Sequence, residues 1–184
     1  VIAQLRTERL LLRRWLPQDR EPFAALNADP AVMEHFPAPL SREQSDALAD
    51  RIEADFEHDG FGLWAVESGG AFVGFAGLSI PSFEAPFLPS VEVGWRLARS
   101  AWGRGWATEA ATAVLDAAFG PLGLTEVVSF TATTNVRSEA VMQRIGMTRV
   151  GTFEHPRVPA GRRLRTHLLY RAERTSWVRP PAGP

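Results

Sequence analysis

The segment RSAWGRGWATEA, Arg99 through Ala110, places the strongest constraint on what this chain can fold into. Ahead of it, SVEVGWRLAR alternates, with Val91, Val93, Trp95 and Leu97 on one face and Glu92, Gly94 and Arg96 on the other, the period of a half-buried strand. Gly94 inside that strand predicts a bulge or a close backbone approach. Behind the segment, Ala107, Ala110, Ala111, Val114, Leu115, Ala118 and Phe119 recur at helical spacing, and Gly120-Pro121 ends the run. A strand that turns through Gly103 and Gly105 into a helix builds an anion site. Backbone N–H groups converge in such a turn, and the helix N-terminus carries about half a positive charge. The competing reading is a strand-to-helix turn that uses glycine for geometry alone. Two familiar phosphate loops are excluded, because no Lys-Ser or Lys-Thr follows the second glycine and three spaced glycines after an early βαβ strand are missing.

The rest of the chain surrounds this unit with strands and helices in an α+β order. TERLLLRRW reads as a first strand around Leu10, Leu12 and Trp15, followed by a helix over 18–28 and a short turn of helix from Pro30 to His35. Ser41 and Gln44 form a capping box that opens a helix ending at Gly60, one face of which carries Asp46, Asp50, Glu53, Glu57 and Asp59. FGLWAVES, Gly69-Gly70 and AFVGFAGLSI read as a hairpin. After the long helix, TEVVSFTAT is a strand, Asn135 caps a helix to Ile145, and strands over 147–155 and 164–174 complete one mixed sheet.

Composition narrows the chemistry. With no cysteine, disulfides, thiolate metal sites and cysteine nucleophiles are excluded, and the four histidines fall in unrelated segments without metal-ligand spacing. The longest uncharged run, Ser68 to Phe83, is broken by glycines and a proline and falls short of the ~20 apolar residues of a membrane span. The charged N-terminal stretch is unlike a secretory signal, so a cytoplasmic protein is expected, without membrane partners. A formal net charge of -1 and no basic run longer than two arginines argue against nucleic acid. The net value hides an asymmetry, since residues 1–89 are acidic and residues 90–184 are basic. One domain over 1–178 with a frayed tail at 179–184 is expected.

VEVGWRLARSAWGRGWATEA resembles the acetyl-coenzyme A binding motif of the GNAT N-acetyltransferases, and TNVRSEAVMQRIGM resembles that family's second motif. The wording around WGRGWATEA is closest to the RimJ/RimL branch. The resemblance runs from Arg9 to Tyr170 and implies a GNAT-like fold: a mixed, mostly antiparallel sheet of six to seven strands flanked by helices. It implies acetyl-CoA as cosubstrate, no metal, an amine acceptor that is a protein N-terminus or a small amine, and room for a homodimer. The pyrophosphate is expected on the amides from Arg104 through Gly105, Trp106 and Ala107 to Thr108, with Arg99 and Arg104 adding charge. Leu97, Ala98 and Arg99 are expected to pair with the pantetheine amides, and Leu97 or Ala98 to supply the oxyanion donor. Where the family begins this loop with Gln or Arg, the chain has Trp102.

The resemblance also distributes the chemistry. Glu92 matches the glutamate that relatives use as base or water-wire member; the alternatives are a solvated glutamate or a pair with Arg96. The usual tyrosine acid is replaced by Met142, and Tyr170, the one tyrosine, lies elsewhere. Ser138, one turn earlier, is the candidate donor to the leaving thiolate, and Asn135 is expected to cap its helix and touch the pantetheine arm. The acidic helix at 41–59 is expected to line the acceptor cleft and select a cationic acceptor. A non-catalytic CoA-binding module remains the rival to both enzymatic readings.

Overall fold

Eight strands follow along the chain: β1 (Gln4–Arg6), β2 (Leu11–Arg13), β3 (Leu63–Ser68), β4 (Ala71–Ser79), β5 (Glu92–Leu97), β6 (Glu126–Ala132), β7 (Thr148–Glu154) and β8 (Thr166–Glu173). In the computed structural model, which describes residues 2–181, they form one sheet in the order β1-β2-β3-β4-β5-β6-β8-β7. Every neighbouring pair is antiparallel except β5 and β6. The expected six to seven strands become eight because β1 and β2 make a separate short hairpin ahead of the first helix. The helices are α1 (Arg20–Ala28), α2 (Arg42–Asp59), α3 (Trp106–Phe119) and α4 (Val136–Arg144).

Local signals account for most of these boundaries. The Ser41 hydroxyl accepts from the Gln44 N–H at 3.2 Å while Gln44 Oε1 accepts from the Ser41 N–H at 2.9 Å, so the capping box forms as read. Gly69 and Gly70 both take positive φ, 58° and 82°, which the two-residue hairpin turn between β3 and β4 requires. The predicted turn of helix after Pro30 is instead a string of turns, with Asp29 accepting from the Ala31 N–H at 2.8 Å. Gly94 makes no bulge. The β4–β5 register runs unbroken through Gly77↔Gly94, and the irregularities fall at Val66/Glu67 and Arg149/Gly151.

The core lies between the sheet and its helices. α3 contributes Ala110, Ala111, Val114, Leu115 and Ala118, all 0% exposed, and packs along β4 and β5 with α4 beside it. α1 and α2 pack on each other; Phe23 of α1 meets Phe75 of β4, and Phe56 of α2 meets Trp64 of β3. Each fully buried large apolar side chain contributes about 1.5–3 kcal/mol. Just before the expected tail at 179–184, Trp177 donates to the Ile145 carbonyl at 2.8 Å, and within it Arg179 Nε lies 2.9 Å from Asp116 Oδ2 of α3. Residues 182–184 lie outside the described residues. Among the described residues no helix is long and apolar enough to cross a membrane.

What positions the site is the break between β5 and β6. A single register pair, Glu92↔Val128, joins them, with the Val128 N–H donating to the Val91 carbonyl at 2.9 Å. Past that point the strands part and a cleft opens.

Candidate active site

The cleft has a volume of about 1550 Å³, above the ~300–1,000 Å³ of a pocket for one small ligand and large enough for two substrates together. Its walls come from β5, β6 and the N-terminal turns of α3 and α4. Gly105, at φ 75°, directs the chain into α3, where the first helical bond runs from the Glu109 N–H to the Gly105 carbonyl at 3.0 Å. The N–H groups of Trp106, Ala107 and Thr108 therefore precede the hydrogen-bonded ladder, and the helix dipole points its positive end into the turn. A side chain at Gly105 would face Arg9, whose Nη2 lies 3.4 Å from the ideal Cβ position. Arg9 is fixed there by Glu109, with Nε donating to Oε2 at 2.7 Å.

Of the residues expected around the cofactor, Leu97, Gly105, Ala107, Thr108 and Asn135 line the cleft, whereas Ala98, Arg99, Arg104 and Trp106 do not. Arg99 is exposed, and Arg104 folds back, its Nε donating to the Ser100 carbonyl at 3.2 Å and its guanidinium 5.0 Å from the Trp106 ring centroid. Other arginines line the cleft instead, and one of them was not expected from the sequence. Arg137, in the first turn of α4, stacks 4.5 Å over the Trp102 ring, and both line the cleft. Trp102 thus fills the place of a charged loop residue and holds an arginine from a different helix.

Ala98 is also corrected as an oxyanion donor. Its N–H donates to the Val73 carbonyl at 2.9 Å and its carbonyl accepts from the Ala101 N–H at 2.9 Å, so both groups are occupied. Antiparallel pairing alternates, so the N–H groups of Arg96 and Gly94 also face β4 while those of Trp95 and Leu97 face the gap toward β6. Leu97 is the remaining expected donor, and its carbonyl accepts from Trp102 Nε1 at 2.9 Å.

Glu92 lines the cleft where the two strands separate. Burial pushes its carboxyl from 4.5 up to about 8, against a smaller opposing pull from the Ser79 hydroxyl on the neighbouring strand. Among the described residues Glu92 forms no salt bridge, and the alternative of a pair with Arg96 is not realised. Across the cleft, Asn135 Oδ1 accepts from the Ser138 N–H at 3.2 Å, and its Nδ2 donates to Ser138 Oγ and Thr131 Oγ1, each at 3.0 Å. Ser138 Oγ, half-buried and lining the cleft, keeps its own proton for another acceptor. Met142 is 1% exposed at the tyrosine position. Tyr170 donates to Glu139 Oε1 at 2.8 Å and accepts from Gln143 Nε2 at 3.3 Å, and it lies outside the cleft lining.

Three of the histidines, scattered in sequence, meet the same cleft: His35, His155 and His167. The His155 and His167 rings lie 4.8 Å apart beside Phe130 and Phe153. Burial above all, with His167 and Arg157 adding repulsion, pushes His155 down to about 4, and burial lowers His167 as well, so both imidazoles are neutral near neutrality. The acidic helix does not line the cleft. Four carboxylates of its acidic face are turned toward arginines: Glu53 and Glu57 each lie 2.8 Å from Arg14 Nη2, Asp46 pairs with Arg42 at 2.8 Å, and Asp50 pairs with Arg20; Asp59 lies 3.8 Å from His58. Among the described residues no group of three His, Asp or Glu gathers to hold a metal.

Residues 9–148 match the family described as "Acetyltransferase (GNAT) domain". The chain is 33% identical to the FsC-acetyl coenzyme A-N(2)-transacetylase of Aspergillus fumigatus over 95% of its own length and 78% of that protein. Among solved structures it is 31% identical to an acetyltransferase from Agrobacterium tumefaciens, with a TM-score of 0.76 over 94% of this chain and 95% of that one. The fold is shared as well by Mycobacterium smegmatis RimJ in complex with CoA-disulfide, at 23% identity and a TM-score of 0.71 over 92% and 85% of the two chains.

Proposed function

The chain belongs to the GNAT acetyltransferase family and moves acetyl groups from acetyl-CoA to an amine; we propose that this amine is the N-terminal α-amine of a protein such as a ribosomal protein, attacking the thioester directly in a ternary complex. The observation that carries this reading is Glu92, placed in the cleft with its carboxyl raised to about 8. An α-amine titrates near 7.7–8.0, so proton transfer between the two is close to balanced, whereas a lysine-like amine near 10.4 leaves only about 1 in 2,500 molecules neutral at pH 7.

The steps follow from the cleft's own groups. The N–H groups from Gly105 to Thr108 hold the diphosphate at the positive end of α3. The acceptor nitrogen attacks the thioester carbon, and the Leu97 N–H takes the oxyanion that forms. Glu92, ionised, accepts the proton lost by the nitrogen. The carbon–sulfur bond then breaks, and the departing thiolate is met by the Ser138 hydroxyl, which Asn135 orients. Holding both reactants in one cleft supplies about 7–11 kcal/mol of the barrier, more than a general base does alone.

A small amine is the second reading, favoured by the relative named as an N(2)-transacetylase. Thiol release from acetyl-CoA separates the readings. Peptides with free N-termini are expected to turn over at least tenfold faster in kcat/KM than their Nα-blocked, lysine-bearing counterparts and than polyamines or aminoglycosides. Preference for the small amines replaces the protein reading, and no release with any acceptor leaves a CoA-binding module.

A further inference from the structure

Arg96 is a cation placed where a protein ordinarily tolerates one only with a counter-ion. It lines the cleft on the same face of β5 as Glu92, with Gly94 between them. Its guanidinium lies 4.2 Å from the Phe36 ring centroid and 5.3 Å from that of Phe75. Nη1 donates to Asn27 Oδ1 at 2.6 Å, and Asn27, 0% exposed, is held in turn by Ser45. Nε is buried with no partner, and among the described residues no carboxylate pairs with the group. Glu92 forms no ion pair, and Asp46, Asp50, Glu53 and Glu57 of α2 pair with Arg14, Arg20 and Arg42.

Arg96 is half-buried and has no counter-ion, so it bears part of the desolvation cost of a buried charge, which an arriving anion offsets. The two aromatic rings and Asn27 fix the guanidinium plane, leaving Nη2 as the donor of the fork that is both unpaired and accessible to a carboxylate oxygen. Gly94 keeps the floor between Arg96 and Glu92 open, since a Cβ there would meet only Glu92 Oε1, at 3.8 Å. The Cα atoms of Glu92 and Arg96 stand about 13 Å apart along the strand, and the Glu92 carboxyl leans toward Gly94, which shortens that distance toward the reach of a short acceptor.

We propose that Arg96 binds a carboxylate of the acceptor, so that the preferred substrate is an amine carrying an acidic group close to the reacting nitrogen. This rests on the acetyl-transfer reading above and reverses the cationic selectivity expected from the acidic helix. The carboxylate comes from an acidic side chain near a peptide N-terminus or from the acceptor's own amino-acid carboxyl.

Two matched probe pairs distinguish those sources: Ser-Asp-Ala-Ala-amide against Ser-Asn-Ala-Ala-amide, and phenylalanine against phenethylamine. Binding is read by calorimetry in the dead-end complex with CoA, and kcat/KM by thiol release. A charge-assisted hydrogen bond of about 1.5–3 kcal/mol predicts a preference of about 10- to 150-fold for the anionic member of at least one pair. Arg96→Gln is expected to bring that ratio within twofold while leaving the KM for acetyl-CoA unchanged, with Arg96→Lys intermediate. Equal binding of both members of both pairs by the wild-type protein overturns the proposal without reliance on any variant, and so does a preference that survives in a folded Arg96→Gln. A binding preference without turnover supports Arg96 as a carboxylate site and removes the α-amine reading instead.

Discussion

Replacing Glu92 by glutamine keeps its size and removes its ionisation, and the consequences differ on the two sides of neutrality. The carboxyl titrates near 4.5 in the unfolded chain and at about 8 in the folded one. The folded state therefore binds the extra proton between those values, and wild-type stability falls as pH rises through the window. At about 1.4 kcal/mol per unit the full displacement is a ceiling of about 5 kcal/mol; water entering the open cleft brings the expected loss to about 2–4 kcal/mol. Glu92→Gln loses this dependence, so it matches the wild type near pH 5 and exceeds it by that amount near pH 9. Urea unfolding followed by tryptophan fluorescence measures both. In kinetics, the acceptor amine and Glu92 must both be deprotonated, so log kcat/KM for the wild type climbs with a slope approaching about two below pH 7, and the variant retains about one, at a rate lower by about 10²–10⁴-fold. Stability curves that stay parallel from about pH 5 to 9 refute the buried carboxyl. Equal pH–rate slopes refute its role as base.

Two further outcomes follow from the same cleft. Ser138→Ala is expected to lower kcat about tenfold with the KM for acetyl-CoA unchanged, as stopped-flow thiol detection will show, because the hydroxyl meets the sulfur as it departs; unaltered turnover assigns that proton to water. Neutralising Asp50, Glu53 and Glu57 together is expected to leave the acceptor ratio in a competition assay unchanged and to cost at most about 1 kcal/mol per exposed pair, because these groups serve Arg14 and Arg20 instead of the cleft.

What the sequence showed and what it withheld divide by distance along the chain. The Ser41 capping box, the Gly69-Gly70 turn, the Asn135 cap and the Gly105 entry into α3 are each decided by a few adjacent residues, and each forms as read. The missed features depend on partners far apart. The guanidinium of Arg96 is organised by Asn27, 69 residues away, and Arg137 reaches the cleft only because α4 brings it over Trp102. His155 and His167 share a wall because β7 and β8 pair. The acidic helix failed as a guide for a related reason. Periodicity tells which face of a helix is polar, but Arg14 just past β2, Arg20 of α1 and Arg42 of α2 itself decide what that face meets. The occupied amide of Ala98 was likewise invisible, because it depends on which β5 neighbours pair with β4.

The backbone at the start of α3 is expected to hold the diphosphate and aim the thioester between Glu92 and Ser138, and a crystal structure with acetyl-CoA bound decides it. Diphosphate oxygens are expected at about 2.9 Å from the N–H groups between Gly105 and Thr108, with the thioester carbonyl turned toward the Leu97 N–H. A diphosphate seated elsewhere, with those amides facing solvent, contradicts it.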